Sequence, residues 1–128
     1  MRAMQAVLVD TSVWSEHFRK AQPLLVSLLH EGLVVSHELV VEELALSMSP
    51  EHLGILDDIA STGLLPTATL DEYLQFVSGF GIAGQKVGCV DVNLLVSCKL
   101  ANAGLWTLDK HLSTAARNCG IEVFPEES

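Results

Sequence analysis

The chain reads as an α/β fold, a three-layer α/β/α sandwich with a mainly parallel central sheet. Three observations predict it. Short apolar runs such as Ala6-Val7-Leu8-Val9 and Leu105-Trp106-Thr107-Leu108 have the length and unbroken hydrophobicity of strands buried on both faces. Between such runs lie longer stretches with apolar residues at helical spacing. Strand and helix alternate along the chain, which favours parallel βαβ units over hairpins.

Each element has its own signal. The first strand ends at Asp10, and Thr11 to Phe18 follows as a short helix. Leu24, Leu25, Leu28 and Leu29 give the next helix its stripe, to His30, and Gly32 ends it. Leu33-Val34-Val35 reads as the second strand, after which Ser36 caps a helix from His37 to Ser47. Ser49-Pro50 opens another over Glu51 to Ser61. Thr62-Gly63 turns into the weak strand Leu64-Leu65-Pro66. Thr69 with Glu72 forms a capping box for a helix to about Phe80. Gly79 to Lys86 has three glycines and no periodicity, so it is a loop. Asp91 to Ala103 is a helix, Leu105 to Leu108 a strand, Asp109 to Cys119 the last helix and Glu122-Val123-Phe124 a final strand.

The whole composition suits one domain, spanning 1–128, with a core of its own. Apolar residues make up 49% of it, too many for disorder. No apolar run approaches a membrane span, and Asp10 interrupts any leader-like start, so the expected location is cytoplasmic, with no membrane partner. Cys89, Cys98 and Cys119 lack C-x-x-C spacing and read as reduced, apolar side chains. A net charge of −9 disfavours coating nucleic acid by charge alone, yet leaves room for an enzyme that holds phosphate through metal ions.

Four acids stand where chemistry is expected. Asp10 and Asp109 each end an apolar run, the edge at which open α/β sheets keep their sites. Each also suits a plain helix cap. On the helix from His37, the apolar face is Val40, Val41, Leu44 and Met48. Glu43 lies roughly 100° from the centre of that face and Glu42 roughly 160°. Glu43 thus borders the core while Glu42 is solvated; a rotated helix would exchange them. Asp91 shares a stripe with Leu94, Leu95 and Cys98 and so points inward from a helix start. The helix dipole favours it there, but an inward carboxylate still needs a counter-charge. Several carboxylates in one cleft form a hard-oxygen donor set for Mg²⁺ or Mn²⁺. Such ions support phosphodiester hydrolysis. Thr11, Ser12 and Thr107 are placed to bond either the carboxylates or a phosphate, and serve equally as caps and turns.

The residues resemble a known family. Leu-Val-Asp-Thr-Ser-Val-Trp at 8–14, Val-Val-Glu-Glu-Leu at 40–44, Val-Gly-Cys-Val-Asp-Val-Asn-Leu-Leu at 87–95 and Leu-Trp-Thr-Leu-Asp-Lys-His-Leu at 105–112 look like the motifs of PIN-domain nucleases, in order. The nearest kind is the VapC-type toxin of toxin–antitoxin pairs. The resemblance implies a PIN-like sandwich, a Mg²⁺- or Mn²⁺-dependent endoribonuclease and a homodimer. It implies a catalytic set of Asp10, Glu43, Asp91 and Asp109, with Asp10, Asp91 and Asp109 as metal ligands, Asp10 and Asp91 foremost. It also implies an RNA substrate and a cognate antitoxin whose tail covers the cleft, for which an acidic chain is suited. Cys89 and His111 depart from the usual pattern, where relatives carry an aromatic residue and a further acid.

Other readings have less behind them. A receiver-like Mg²⁺-binding module without nuclease activity wants a second acid beside the first-strand carboxylate, and only Lys110 approximates its lysine. An aspartyl phosphatase wants Asp-x-Asp, but Ser12 holds that place. Gly79 to Gly84 matches G-x-G-x-x-G after a helix rather than a strand, so the dinucleotide context is missing. Trp14 and Trp106 read as core or dimer contacts, and the five histidines show no ligand spacing.

Overall fold

A computed structural model describes residues 5–125, so both ends of the expected 1–128 domain lie outside the described residues. Four strands, β1 (Val7–Val9), β2 (Val34–His37), β3 (Leu64–Leu65) and β4 (Gly104–Trp106), form one sheet in the order β3-β2-β1-β4. Every pairing is parallel, with Val7 opposite Val34 and Val9 opposite Trp106. The helices are α1 (Thr11–Arg19), α2 (Pro23–His30), α3 (Glu38–Ser47), α4 (Gly54–Ala60), α5 (Leu70–Phe80), α6 (Cys89–Ala101) and α7 (Lys110–Asn118). Helix α3 packs on α1 and α4, and α6 packs on α5, so the helices form separate groups around the sheet. This is the α/β class expected from the alternation of elements.

The core explains why the short strands hold. Leu8 and Val9 of β1, Leu44 of α3, Leu94 and Leu95 of α6, Leu105 of β4 and Leu112 of α7 are inaccessible to solvent. Each such side chain contributes about 1.5–3 kcal/mol of apolar burial. Trp14 and Trp106 are both buried within this cluster. Among the described residues no helix is long and apolar enough to cross a membrane.

The structure departs from expectation at several junctions. Strand β2 continues to His37, and the cap of α3 passes from Ser36 to His37, whose Nδ1 accepts the Leu39 N–H at 3.1 Å. Ser36 is still strand, opposite Leu64, with its hydroxyl buried, so it is not free to cap. The expected helix from Glu51 is instead a 3-10 turn at Pro50–His52 followed by α4, with Gly54, a poor helix former, at the join. Helix α6 starts at Cys89, two residues before Asp91, because Asp91 caps it by reaching back to the Gly88 N–H at 3.4 Å. Strand β4 ends at Trp106, leaving Thr107 and Leu108 as the turn that delivers Asp109. The final strand reduces to a single bridge between Leu105 and Val123. Gly81 closes α5 in the left-handed region, at φ 62°, which confirms a helix end rather than a nucleotide loop.

Candidate active site

Parallel strands bring their carboxyl ends to one edge, and the site is built there. Asp10 leaves β1 with its N–H still bonded to the Trp106 carbonyl at 2.9 Å, so β4 lies directly alongside. The Asp10 side chain is only 6% exposed. Its Oδ1 accepts the Thr11 N–H at 2.7 Å. Its Oδ2 accepts two hydroxyls, Ser12 at 3.0 Å and Thr107 at 2.7 Å. Thr107, itself buried, also accepts the Asp109 N–H at 3.1 Å and so couples the two strand-end acids. The Ser12 oxygen accepts the Leu108 N–H at 3.0 Å, which fastens α1 to the same turn.

Asp109 is exposed, and its Oδ1 caps α7 by accepting the His111 and Leu112 N–H groups at 2.8 and 3.3 Å. Asp10 and Asp109 are therefore caps as well as members of a carboxylate edge; the two readings coexist.

Glu43 reaches the group from α3, across the other neighbour of β1. Its Oε1 accepts the Thr11 hydroxyl at 2.6 Å. It is exposed, as Glu42 is, so it stands further out than a core-bordering position. The contact with Thr11 is what turns Glu43, and not Glu42, toward the acids. The hydroxyls of Thr11, Ser12 and Thr107 thus all bond carboxylates.

Asp91, at the third position of α6, is half-buried. Burial pushes its carboxyl above the ordinary value of 3.8, and the Gly88 N–H partly opposes this. The negative charges of Asp10, Asp109 and Glu43 then push it further up. Among the described residues, every charged neighbour that acts on Asp91 is one of the other three acids, and no basic side chain offsets them. Four carboxylates therefore share one electrostatic field.

The donor set suits a hard divalent cation in kind: carboxylate oxygens, partly desolvated, with no counter-charge on Asp91 from the described residues. It is not a finished coordination shell. Among the described residues no three His, Cys, Asp or Glu side chains stand close enough to hold an ion as they are. Asp10 is held by three hydrogen bonds, Asp109 by two and Glu43 by one, each with its own partners. Two of the three cysteines offer no competing chemistry. Cys98 and Cys119 are buried, and burial raises both thiols, Cys98 to about 12, far from the reactive thiolate.

Two polar residues went unread in the sequence. His37 and Ser97 are fully buried and meet each other at 3.0 Å. They stand sixty residues apart in the chain, and no local pattern marks them.

No protein-family model matches the chain. It is similar to Ribonuclease VapC32 of Mycobacterium tuberculosis, in strains CDC 1551 and H37Rv, at 42% identity over 123 residues, covering 95% of this chain and 99% of the relative. The crystal structure of FitAcB from Neisseria gonorrhoeae superposes with a TM-score of 0.67 at 20% identity, over 92% of this chain and 96% of that one. PAE2754 from Pyrobaculum aerophilum gives a TM-score of 0.57 at 17% identity, over 94% and 83% of the two chains. At those identities the two structures speak for the fold, and VapC32 for the family.

Proposed function

The chain belongs to the VapC family of PIN-domain ribonucleases, and on that footing we propose that it is a Mg²⁺- or Mn²⁺-dependent endoribonuclease of the toxin type, acting as one catalytic domain. The observation that carries this reading is the acid edge itself: Thr107 bonds both Asp10 and the Asp109 backbone, Thr11 holds Glu43 beside them, and the Asp91 carboxyl, raised first by burial, feels the charges of all three. Asp10, Asp91 and Asp109 would hold the cation. When bound, it would make a coordinated water more acidic and offset the charge of the scissile phosphodiester.

The chain's own residues do the rest. Thr107 and Ser12 fix the Asp10 carboxylate, and Thr107 sets the Asp109 backbone relative to it. Thr11 holds Glu43 by one oxygen and leaves the other for a proton from the attacking water. A cleft so rich in carboxylate repels bare RNA, so productive binding of the phosphate requires the cation. The same charge suits a cognate antitoxin with a basic tail, and the active toxin is a homodimer in the cytoplasm. The receiver-like alternative lacks its second acid, since Val9 and Thr11 stand on either side of Asp10 and the Thr11 hydroxyl is bonded to Glu43.

Asp10→Asn tests the reading. Asparagine keeps the cap of α1 but removes a charge from the donor set. The variant should fold as the parent does and lose Mn²⁺-dependent cleavage of a fluorogenic RNA. Cleavage at the parental rate would refute the assignment.

A further inference from the structure

A buried polar seam joins the two helices that carry Glu43 and Asp91. His37 and Ser97 are 0% and 1% exposed, and His37 Nε2 lies 3.0 Å from Ser97 Oγ. His37 Nδ1 accepts the Leu39 N–H at the start of α3, which leaves the ring proton on Nε2. Nε2 therefore donates to Ser97 on α6. The Ser97 hydroxyl in turn donates to the Pro66 carbonyl at 2.7 Å. The same connection is tied to α6 again, by the Ala68 N–H to Asn93 Oδ1 at 3.1 Å. Both His37 nitrogens and the Ser97 hydroxyl have partners, so the low dielectric of the interior strengthens these bonds.

Its placement gives it a consequence. Glu43 lies six residues after His37, and Asp91 six residues before Ser97. Six residues is about 9 Å of helix. Helix α3 packs with α1 and α4 and helix α6 with α5, so this bond crosses from one group of helices to the other.

We propose that His37 and Ser97 are positioning residues for the acid cluster, their hydrogen bond fixing the separation of Glu43 from Asp91 and thereby the cluster's affinity for a divalent cation. Neither touches substrate. The effect on the cation rests on the metal-dependent reading above; the effect on helix placement does not.

Two variants cut the bond. His37→Asn keeps a good cap for α3 but is too short to reach Ser97. Ser97→Ala removes the hydroxyl from α6 and carries the test alone should His37→Asn fail to fold. Leu28→Ala, in the buried face of α2, controls for lost stability. Each is measured without RNA, in a Cys89→Ser background with spin labels at Leu46→Cys and Leu100→Cys, both exposed positions, one on each helix. Labelled protein is diluted with unlabelled protein so that only distances within one chain are read.

The distance distribution should broaden in both seam variants. Their Mn²⁺ dissociation constant, read by electron paramagnetic resonance, should rise roughly tenfold, the lower end of what losing an outer-shell support costs. Leu28→Ala should match the parent in both readouts. Parental distances in the folded seam variants would overturn the proposal, and so would broadened distances with unchanged Mn²⁺ affinity. A parent that binds no Mn²⁺ would refute the metal-dependent reading, and the distances would still decide whether the pair positions the helices.

Discussion

Thr107→Val is the most informative single change at the acid edge. Valine matches threonine in shape and deletes only the hydroxyl. That hydroxyl donates to Asp10 Oδ2 at 2.7 Å and accepts the Asp109 N–H at 3.1 Å. A hydrogen bond to a charged group contributes about 1.5–3 kcal/mol, and a partner left buried without it adds to the loss. Asp10 is 6% exposed, so water does not replace the bond. Ser12 still holds the same oxygen at 3.0 Å, which limits the damage. A net loss of about 2 kcal/mol is expected. For a chain of this size that corresponds to a fall in Tm of about 8 °C. The Asp10 carboxylate would also lose its orientation toward Asp109, so kcat should drop roughly tenfold to a hundredfold. Thermal unfolding by circular dichroism and cleavage of a fluorogenic RNA measure the two effects, and Thr107→Ser should restore both. If Thr107→Val melted and cleaved as the parent does, the hydroxyl would be a bystander and the coupling of Asp10 to Asp109 through it would be wrong.

Two further predictions concern protons. The Asp91 carboxyl lies above its ordinary 3.8 in the fold, so the folded chain keeps a proton that the unfolded chain has released. Stability therefore falls as pH rises from about 3.8 through the folded value, and charged Asp91 opposes folding at neutral pH. Asp91→Asn should raise the Tm of the metal-free protein at pH 7, with the gain vanishing below pH 3.8, and should abolish cleavage; a lowered Tm at pH 7 would contradict the account. His37 behaves in the opposite sense. Burial holds its pKa below 6.5, against the pull of the Glu38 carboxylate. Below pH 6.5 the unfolded chain takes up a proton that the folded chain refuses, so stability should fall as pH drops from 6.5 to the folded value. In denaturant titrations that slope should be absent from His37→Asn, and a parental slope in the variant would assign it to another group.

Much of the fold was legible because strand and helix periods were clean where side chains are buried on one side or both. The run around Leu8, the stripe of α2 and the Thr69–Glu72 capping box appear as read, and the run around Leu105 is a strand, though it ends at Trp106. The misplaced boundaries have two causes: a tertiary contact that overrules a local signal, and a local cap that works from inside the helix. Ser36 looked like a cap, yet pairing with β3 keeps it extended, and the cap passes to a histidine. Val87 to Val90 looks unlike a helix start, but Asp91 reaching back to Gly88 makes α6 begin there. The positions of Asp10 and Asp109 after strands, and of Asp91 near a helix start, were legible from the pattern of elements. What holds them was not: Thr11 meets Glu43 across 32 residues, and Thr107 meets Asp10 across 97. The exposure of Glu43 also differs from its helical angle, because a contact from α1, invisible in the helix's own pattern, sets its direction.

Anomalous diffraction from crystals grown with Mn²⁺ tests the central claim most directly. The prediction is one strong peak bonded to Asp10 and Asp91 oxygens, with Asp109 and Glu43 turned toward it. A Mn²⁺-loaded crystal with the peak elsewhere, or with these four carboxylates facing away from one another, would contradict it.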